Sequence, residues 1–125
     1  MKKILLIDDN EEIRELIGYF LSLENYEAIA TDKGRLGLEL AKKVKPDLII
    51  CDIRMPGLDG YAVLKALRED WTTAKIPFIF LSAETDCDSR CLARELGSDD
   101  YLTKPVDFDE LLQAIAAQIK KIRYP

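Results

Sequence analysis

Four apolar residues, Leu48-Ile49-Ile50-Cys51, run without a break into a single aspartate, Asp52, and Met55-Pro56-Gly57 turns the chain soon after. An uninterrupted apolar run bounded by turn signals reads as a strand covered on both faces. Covering both faces takes helices above and below, which points to a parallel sheet in an α/β domain. Asp52 then stands at the strand's carboxyl end, the edge where open α/β sheets bind ligands.

The rest of the chain fits that plan. Residues 3–8 read as a first strand, and Asn10 is a good N-cap. Ile13, Leu16, Ile17, Phe20 and Leu21 then recur at helical spacing, with Asn25 closing the helix. Tyr26 to Thr31 alternate as an edge-side strand. A helix is expected over 34–45 through Leu36, Leu40, Ala41 and Val44, stopped by Lys45-Pro46 because the residue before proline resists the α region. The third strand covers 47–52. Asp59 caps a helix with the stripe Gly60, Val63, Leu64, Leu67 and Trp71. Residues 76–81 give a fourth strand, with Pro77 tolerated near its start, leading into Ser82-Ala83. A more polar helix over 86–96 ends at Gly97. Residues 100–102 form a short fifth strand before Thr103-Lys104-Pro105. Asp107 caps a last helix with the stripe Phe108, Leu111, Leu112, Ile115, Ile119 and Ile122.

Five strands alternating with five helices over short connections predict a doubly wound, five-stranded parallel sheet with helices on both faces. The chain shows no repeat, low-complexity tract or linker, so residues 1–125 are expected to form one domain. Tyr124-Pro125 reads either as a terminus or as the start of a join to another segment.

Composition excludes several chemistries. There is no histidine, which removes Ser-His hydrolysis, imidazole bases and most zinc sites. The net charge of −5, with no basic stripe, argues against direct nucleic-acid contact. No apolar run is long enough to span a membrane. Three cysteines without a secretory signal suggest the reducing cytoplasm.

The polar residues collect at strand ends. Asp8 and Asp9 end the first strand, Asp52 the third, Ser82 the fourth and Lys104 the fifth. In the flavodoxin-like order 2-1-3-4-5, strands one and three are neighbours at the switch point, so three carboxylates converge on one crevice. At roughly 4 Å and an effective dielectric near 20, each like-charged pair costs about 4 kcal/mol. Such a cluster needs a cation. All-oxygen ligands with open positions suit Mg²⁺, which keeps waters and bridges to phosphate. Three carboxylates against one Mg²⁺ and one lysine sum to zero charge. That assembly suits phosphoryl transfer: Asp52 as nucleophile, Ser82 as hydroxyl donor, and Lys104 with Mg²⁺ as countercharge. Singly, each of these residues is an ordinary cap or surface charge. Their joint occurrence at four strand ends carries the weight.

From first strand to last helix the chain resembles a response-regulator receiver domain of two-component signalling. The resemblance rests on Ile7-Asp8-Asp9-Asn10, on Asp52-Ile53-Arg54-Met55-Pro56-Gly57-Leu58-Asp59-Gly60, on Leu81-Ser82-Ala83, and on Asp100-Tyr101-Leu102-Thr103-Lys104-Pro105. It implies that Asp52 takes a phosphoryl group from a sensor histidine kinase or phosphotransfer protein. It implies Mg²⁺ on Asp9, Asp52 and the backbone carbonyl of Arg54, with Asp8 assisting through water. Ser82 and Lys104 would bind phosphoryl oxygens, and Lys104-Pro105 would be cis. Ser82 and Tyr101 would form a switch that alters partner binding on the face of the fourth helix, fifth strand and fifth helix. The downstream partner is an unidentified protein, and a homodimer formed on phosphorylation is among the arrangements to test. Such a domain catalyses only its own phosphorylation and dephosphorylation.

Arg54 and Glu84 lie two residues past Asp52 and Ser82, where the family tunes aspartyl-phosphate lifetime; they read either as a pair over the site or as two solvated surface charges. Cys87 and Cys91, at i and i+4, read as plain small residues ahead of a redox or metal pair, and Cys51 and Trp71 as packing residues. Two other classes compete. A Mg²⁺ phosphohydrolase would place Asp-x-Asp after strand one, where this chain has Asp8-Asp9-Asn10. A flavin protein would need a phosphate-cradling loop there, and two acids would repel the phosphate. No output domain is encoded in these residues, which leaves a stand-alone regulator or a receiver piece of a larger regulator or hybrid kinase.

Overall fold

The computed structural model describes the backbone of residues 1–122 and the side chains of residues 1–120. The readings of Tyr124-Pro125 and of the Ile122 side chain lie outside the described residues. The elements run β1 (Lys2–Ile7), α1 (Glu11–Leu23), β2 (Tyr26–Thr31), α2 (Gly34–Val44), β3 (Leu48–Cys51), α3 (Gly60–Glu69), β4 (Phe78–Ser82), α4 (Cys87–Leu96), β5 (Asp100–Thr103) and α5 (Phe108–Ile122). They match the expected order, with ends displaced by a residue or two. The sheet is parallel throughout, in the order β2-β1-β3-β4-β5.

Period-two alternation divides the core into two layers. Ile4 and Leu6, Leu48 and Ile50, and Ile79 and Leu81 face α1 and α5, meeting Ile17, Leu21, Leu111, Ile115 and Ile119. Leu5 and Ile7, Ile49 and Cys51, and Phe78 and Phe80 face the other way, onto Val63, Leu64, Leu67 and Ala93. All four residues of β3 are buried, as a central strand sandwiched by helices requires.

Three stripe residues depart from expectation. Trp71 is 88% exposed. The helix stops first: Asp70 is extended, its carboxylate accepts from the Thr72 N–H at 2.9 Å, and Thr73 Oγ1 donates to the Leu67 carbonyl at 2.8 Å. Helical spacing counted from Leu67 therefore does not reach Trp71. Leu36 is 43% exposed because α2 instead buries Gly34, Gly37 and Ala41. A Cβ on Gly37 would lie 2.4 Å from Ile7 Cδ1, so the missing side chain lets α2 sit close on β1. Leu16 flanks the α1 stripe and is 52% exposed, while Ile17 and Leu21 are buried. Two helix ends use left-handed residues: Lys45 at φ 51° before Pro46, and Asn25 at φ 66° after α1.

Candidate active site

The carboxyl ends of β1, β3, β4 and β5 converge at one sheet edge. Register places Ile7 beside Cys51 and Ser82 beside Thr103. The next residue in each strand's path thus brings Asp8 next to Asp52, and Lys104 next to both. Asp8 and Asp52 are buried, whereas Asp9 is exposed. A carboxylate oxygen from each of Asp8, Asp9 and Asp52 lies within 4.8 Å of the other two.

Backbone and side-chain donors orient the acids. Asp8 Oδ1 accepts from the Asn10 N–H at 2.9 Å, and its carbonyl accepts from the Arg14 guanidinium at 2.8 Å. Asp52 Oδ1 accepts from the Ile53 N–H at 2.7 Å. Lys104 Nζ donates to Asp52 Oδ2 at 3.1 Å and lies 3.0 Å from Asp8 Oδ2. The Lys104–Pro105 peptide is cis. The Lys104 N–H donates to the Ser82 carbonyl at 2.9 Å, which ties the lysine's backbone to β4.

Burial pushes the Asp52 carboxyl above its usual range; the Lys104 ammonium and the Ile53 N–H oppose this, and Asp8 adds to it. Burial pulls Lys104 down, but its bonds to Asp8 and Asp52 outweigh that and hold the ammonium above its usual value. At neutral pH the lysine is therefore a fixed positive charge. Burial makes the ionised form of the Asp52 carboxyl beside it costly.

Ser82 is buried, and its Oγ accepts from the Glu84 N–H at 3.1 Å. Glu84 links the site to its surroundings. One carboxylate oxygen takes the Arg54 Nε–H, so the facing charges do pair. The other lies 2.9 Å from Ser89 Oγ on α4. Its backbone carbonyl accepts from the Tyr101 hydroxyl at 2.7 Å. The Tyr101 ring packs 6.1 Å from Phe80 and has the Arg90 guanidinium 4.9 Å above it.

Sequence reasoning did not single out Arg14 or Gly60 for the site. Nothing in the spacing marks Arg14, since its contact is to a backbone carbonyl. In the sequence Gly60 stands out only as one member of an apolar stripe and as the last residue of the Asp52–Gly60 motif, with no role of its own. A Cβ there would lie 2.2 Å from the Asp52 carbonyl and 2.9 Å from Ile53 Cα, so α3 starts flush against the loop that follows β3. A glycine inside an otherwise large-residue stripe was the available signal.

The donor set fits a small hard dication. All three ligands are carboxylate oxygens, and the chain has no histidine to offer. That chemistry suits Mg²⁺ and not a soft metal.

Comparison with known proteins agrees with this geometry. The family model described as the response regulator receiver domain matches residues 4–116. The transcriptional regulatory protein HprR of Escherichia coli K12 is 42% identical over 119 residues, covering 95% of this chain and 52% of HprR. The alkaline phosphatase synthesis transcriptional regulatory protein PhoP of Bacillus subtilis is 38% identical over 120 residues, covering 96% of this chain and 49% of PhoP. The chain thus spans about half the length of these curated relatives. Among solved structures, the receiver domain of the Francisella response regulator 1452 superposes with a TM-score of 0.92 at 32% identity, over 98% of this chain and 100% of that one. The chemotaxis protein CheY4 of Vibrio cholerae gives a TM-score of 0.89 at 30% identity, over 94% of this chain and 98% of that one. A family match over residues 4–116 and relatives at these identities leave one assignment: the chain belongs to the response regulator receiver domains, the signalling modules of two-component systems.

Proposed function

We propose that Asp52 is the phosphoacceptor and that residues 1–125 act as one receiver unit. The observation that carries this reading is the Lys104 ammonium lying within 3.1 Å of both Asp8 and Asp52 at the sheet edge. Asp52 Oδ1 is held by the Ile53 N–H, and Oδ2 faces Lys104. A carboxylate oxygen attacks the phosphorus of a phosphohistidine in a histidine kinase or phosphotransfer protein, and the P–N bond to the donor breaks. Lys104 neutralises a phosphoryl oxygen, and Ser82 Oγ donates a hydrogen bond to another. Mg²⁺ would be held by Asp9, Asp52 and the Arg54 carbonyl, with Asp8 assisting through water, and would supply charge neutralisation on the phosphoryl oxygens. The domain catalyses only its own phosphorylation and dephosphorylation.

The readout uses Ser82 and Tyr101. Engagement of Ser82 by the phosphoryl group draws on the loop that carries Glu84, to which Tyr101 is bonded. The packing of α4, β5 and α5 then shifts between two arrangements with different partners. The partner is a protein, with a second copy of this chain as one candidate. The relatives' names speak of transcriptional regulation, but at a net charge of −5 this module is not itself the part that touches nucleic acid. Cytoplasmic placement fits three free cysteines and the absence, among the described residues, of a helix long and apolar enough to cross a membrane.

The test is incubation with a small phosphodonor and Mg²⁺, read by intact mass and size-exclusion. The wild type should gain one phosphoryl group and Asp52→Asn none. Equal phosphorylation of Asp52→Asn overturns the assignment.

A further inference from the structure

Cys87 and Cys91 stand one turn apart on α4, and both thiols are free and exposed. Positions i and i+4 share a helix face with Cβ atoms about 5–6 Å apart. A disulfide needs Cβ atoms about 3.5–4.5 Å apart, so these thiols can join only if the turn between them opens.

That turn is weakly anchored. Ala93 is the buried residue of α4, whereas α3, also 10 residues long, buries Gly60, Val63, Leu64 and Leu67. Residues 87–91 have no buried side chain. They are held by the Asp86 cap accepting from the Ser89 N–H at 3.0 Å, the Tyr61 hydroxyl donating to the Ser89 carbonyl at 3.2 Å, Ser89 Oγ 2.9 Å from both Glu84 Oε2 and Asp86 Oδ1, and the Arg90 guanidinium 4.9 Å above the Tyr101 ring. The Asp86–Ser89 bonds are exposed and the Tyr61 and Glu84 bonds only part-buried, and polar contacts with so little apolar cover mark a segment that opens at low cost. Ser89 lies between the two cysteines. Opening this turn therefore withdraws Ser89 from Glu84, the residue that pairs with Arg54.

We propose that Cys87 and Cys91 form a peroxide-responsive dithiol switch, whose oxidation to an intramolecular disulfide unwinds the first turn of α4 and frees Glu84 from Ser89. One thiolate attacks hydrogen peroxide, the O–O bond breaks, and the sulfur becomes a sulfenic acid as water leaves. The second sulfur attacks the first, the S–O bond breaks, and a second water leaves. Two thiols give up two electrons and two protons, and peroxide is reduced to two waters. A dithiol reductant reverses the step by exchange. Cys51 takes no part: it is fully buried in the core. The disulfide stands independently of the phosphoryl reading; only its effect on phosphate lifetime rests on it.

The test treats the reduced chain with hydrogen peroxide and follows intact mass, peptide maps and far-ultraviolet circular dichroism. The wild type should lose two hydrogens, mapped to Cys87–Cys91, with helical signal falling by about one turn, ~4 residues. Dithiothreitol should restore both. Cys87→Ser and Cys91→Ser should each instead give a sulfenic acid trapped by dimedone. Oxygen addition without a disulfide, a bond between chains or to Cys51, no reaction, or a disulfide with unchanged helical signal overturns the proposal. In oxidised wild type that has been phosphorylated, phosphate loss should approach the rate of Arg54→Ala; an unchanged rate overturns the link to Glu84. A protein that forms the disulfide but takes no phosphoryl group overturns the function above and leaves the switch standing.

Discussion

Replacing Asp52 by asparagine should stabilise the metal-free protein, and the site geometry says by how much. With carboxylate oxygens within 4.8 Å, Asp8 repels Asp52 by about 3.5 kcal/mol at an effective dielectric near 20. Asp9 is exposed, and screening leaves it roughly half that effect. Lys104, 3.1 Å away, attracts Asp52 by about 5 kcal/mol on the same scale. These terms nearly cancel, so burial decides. Asp52 is 7% exposed, and removing a carboxylate from water costs a few kcal/mol, offset in part by the Ile53 N–H. Asparagine keeps an acceptor for that N–H, and Lys104 keeps Asp8. Asp52→Asn should therefore gain about 2 kcal/mol, a rise in the urea midpoint of about 1 M in the presence of a chelator.

The pH dependence follows with its sign. A carboxyl whose folded pKa is raised above its unfolded value of about 3.8 binds its proton more tightly in the folded state. The stability it contributes is fully present below the unfolded value and is lost as pH rises through the folded value. The advantage of Asp52→Asn should thus be full at neutral pH and close on acidification. Added Mg²⁺ should stabilise the wild type more than the variant, by about 2.7 kcal/mol at a hundredfold excess over its dissociation constant. An equal or lower midpoint for Asp52→Asn in chelator would mean that pairing with Lys104 outweighs burial. A gap that widens on acidification would refute the raised carboxyl.

Three further outcomes follow. Arg54→Ala should shorten the phosphorylated lifetime roughly two- to fivefold by uncovering the site to water, and an unchanged rate of phosphate release removes the shielding role. Gly60→Ala should destabilise by about 2–3 kcal/mol in urea melts, because the added methyl meets backbone at Asp52 and Ile53; a cost under about 0.5 kcal/mol would show that α3 can shift freely. Trp71→Ala should leave stability within about 0.5 kcal/mol, and wild-type fluorescence should respond to an aqueous quencher in the folded state. Strong protection from the quencher would contradict its exposure.

The parts of the fold that periodicity governs were legible in the sequence. Continuous apolar runs located β1, β3 and β4, and polar caps at Asn10, Asp59 and Asp107 located helix starts, each carboxylate or amide accepting from a backbone N–H as expected; Asp86, expected as the first residue of its helix, is instead the cap. The polar residues at strand ends were readable because a parallel sheet sends every strand's carboxyl end to the same edge. What escaped depended on contacts between distant segments. Gly37 sets how closely α2 approaches Ile7, which moves Leu36 outward, and no local pattern encodes that approach. Trp71 continued a helical count that Asp70 and Thr73 cut short with side-chain bonds to backbone. Arg14 reaches a carbonyl, and a carbonyl carries no residue signature.

The sheet also works as a partition. Among the described residues, the layer beneath α1 and α5 and the layer beneath α2, α3 and α4 share strands but have no core side chain in common. A volume change on one side can reach the other only through main-chain displacement, which a paired sheet resists. Sequence drift on either flank, including new recognition of a sender or a receiver of the signal, can thus accumulate on its own side while the acidic pocket at the rim stays in register.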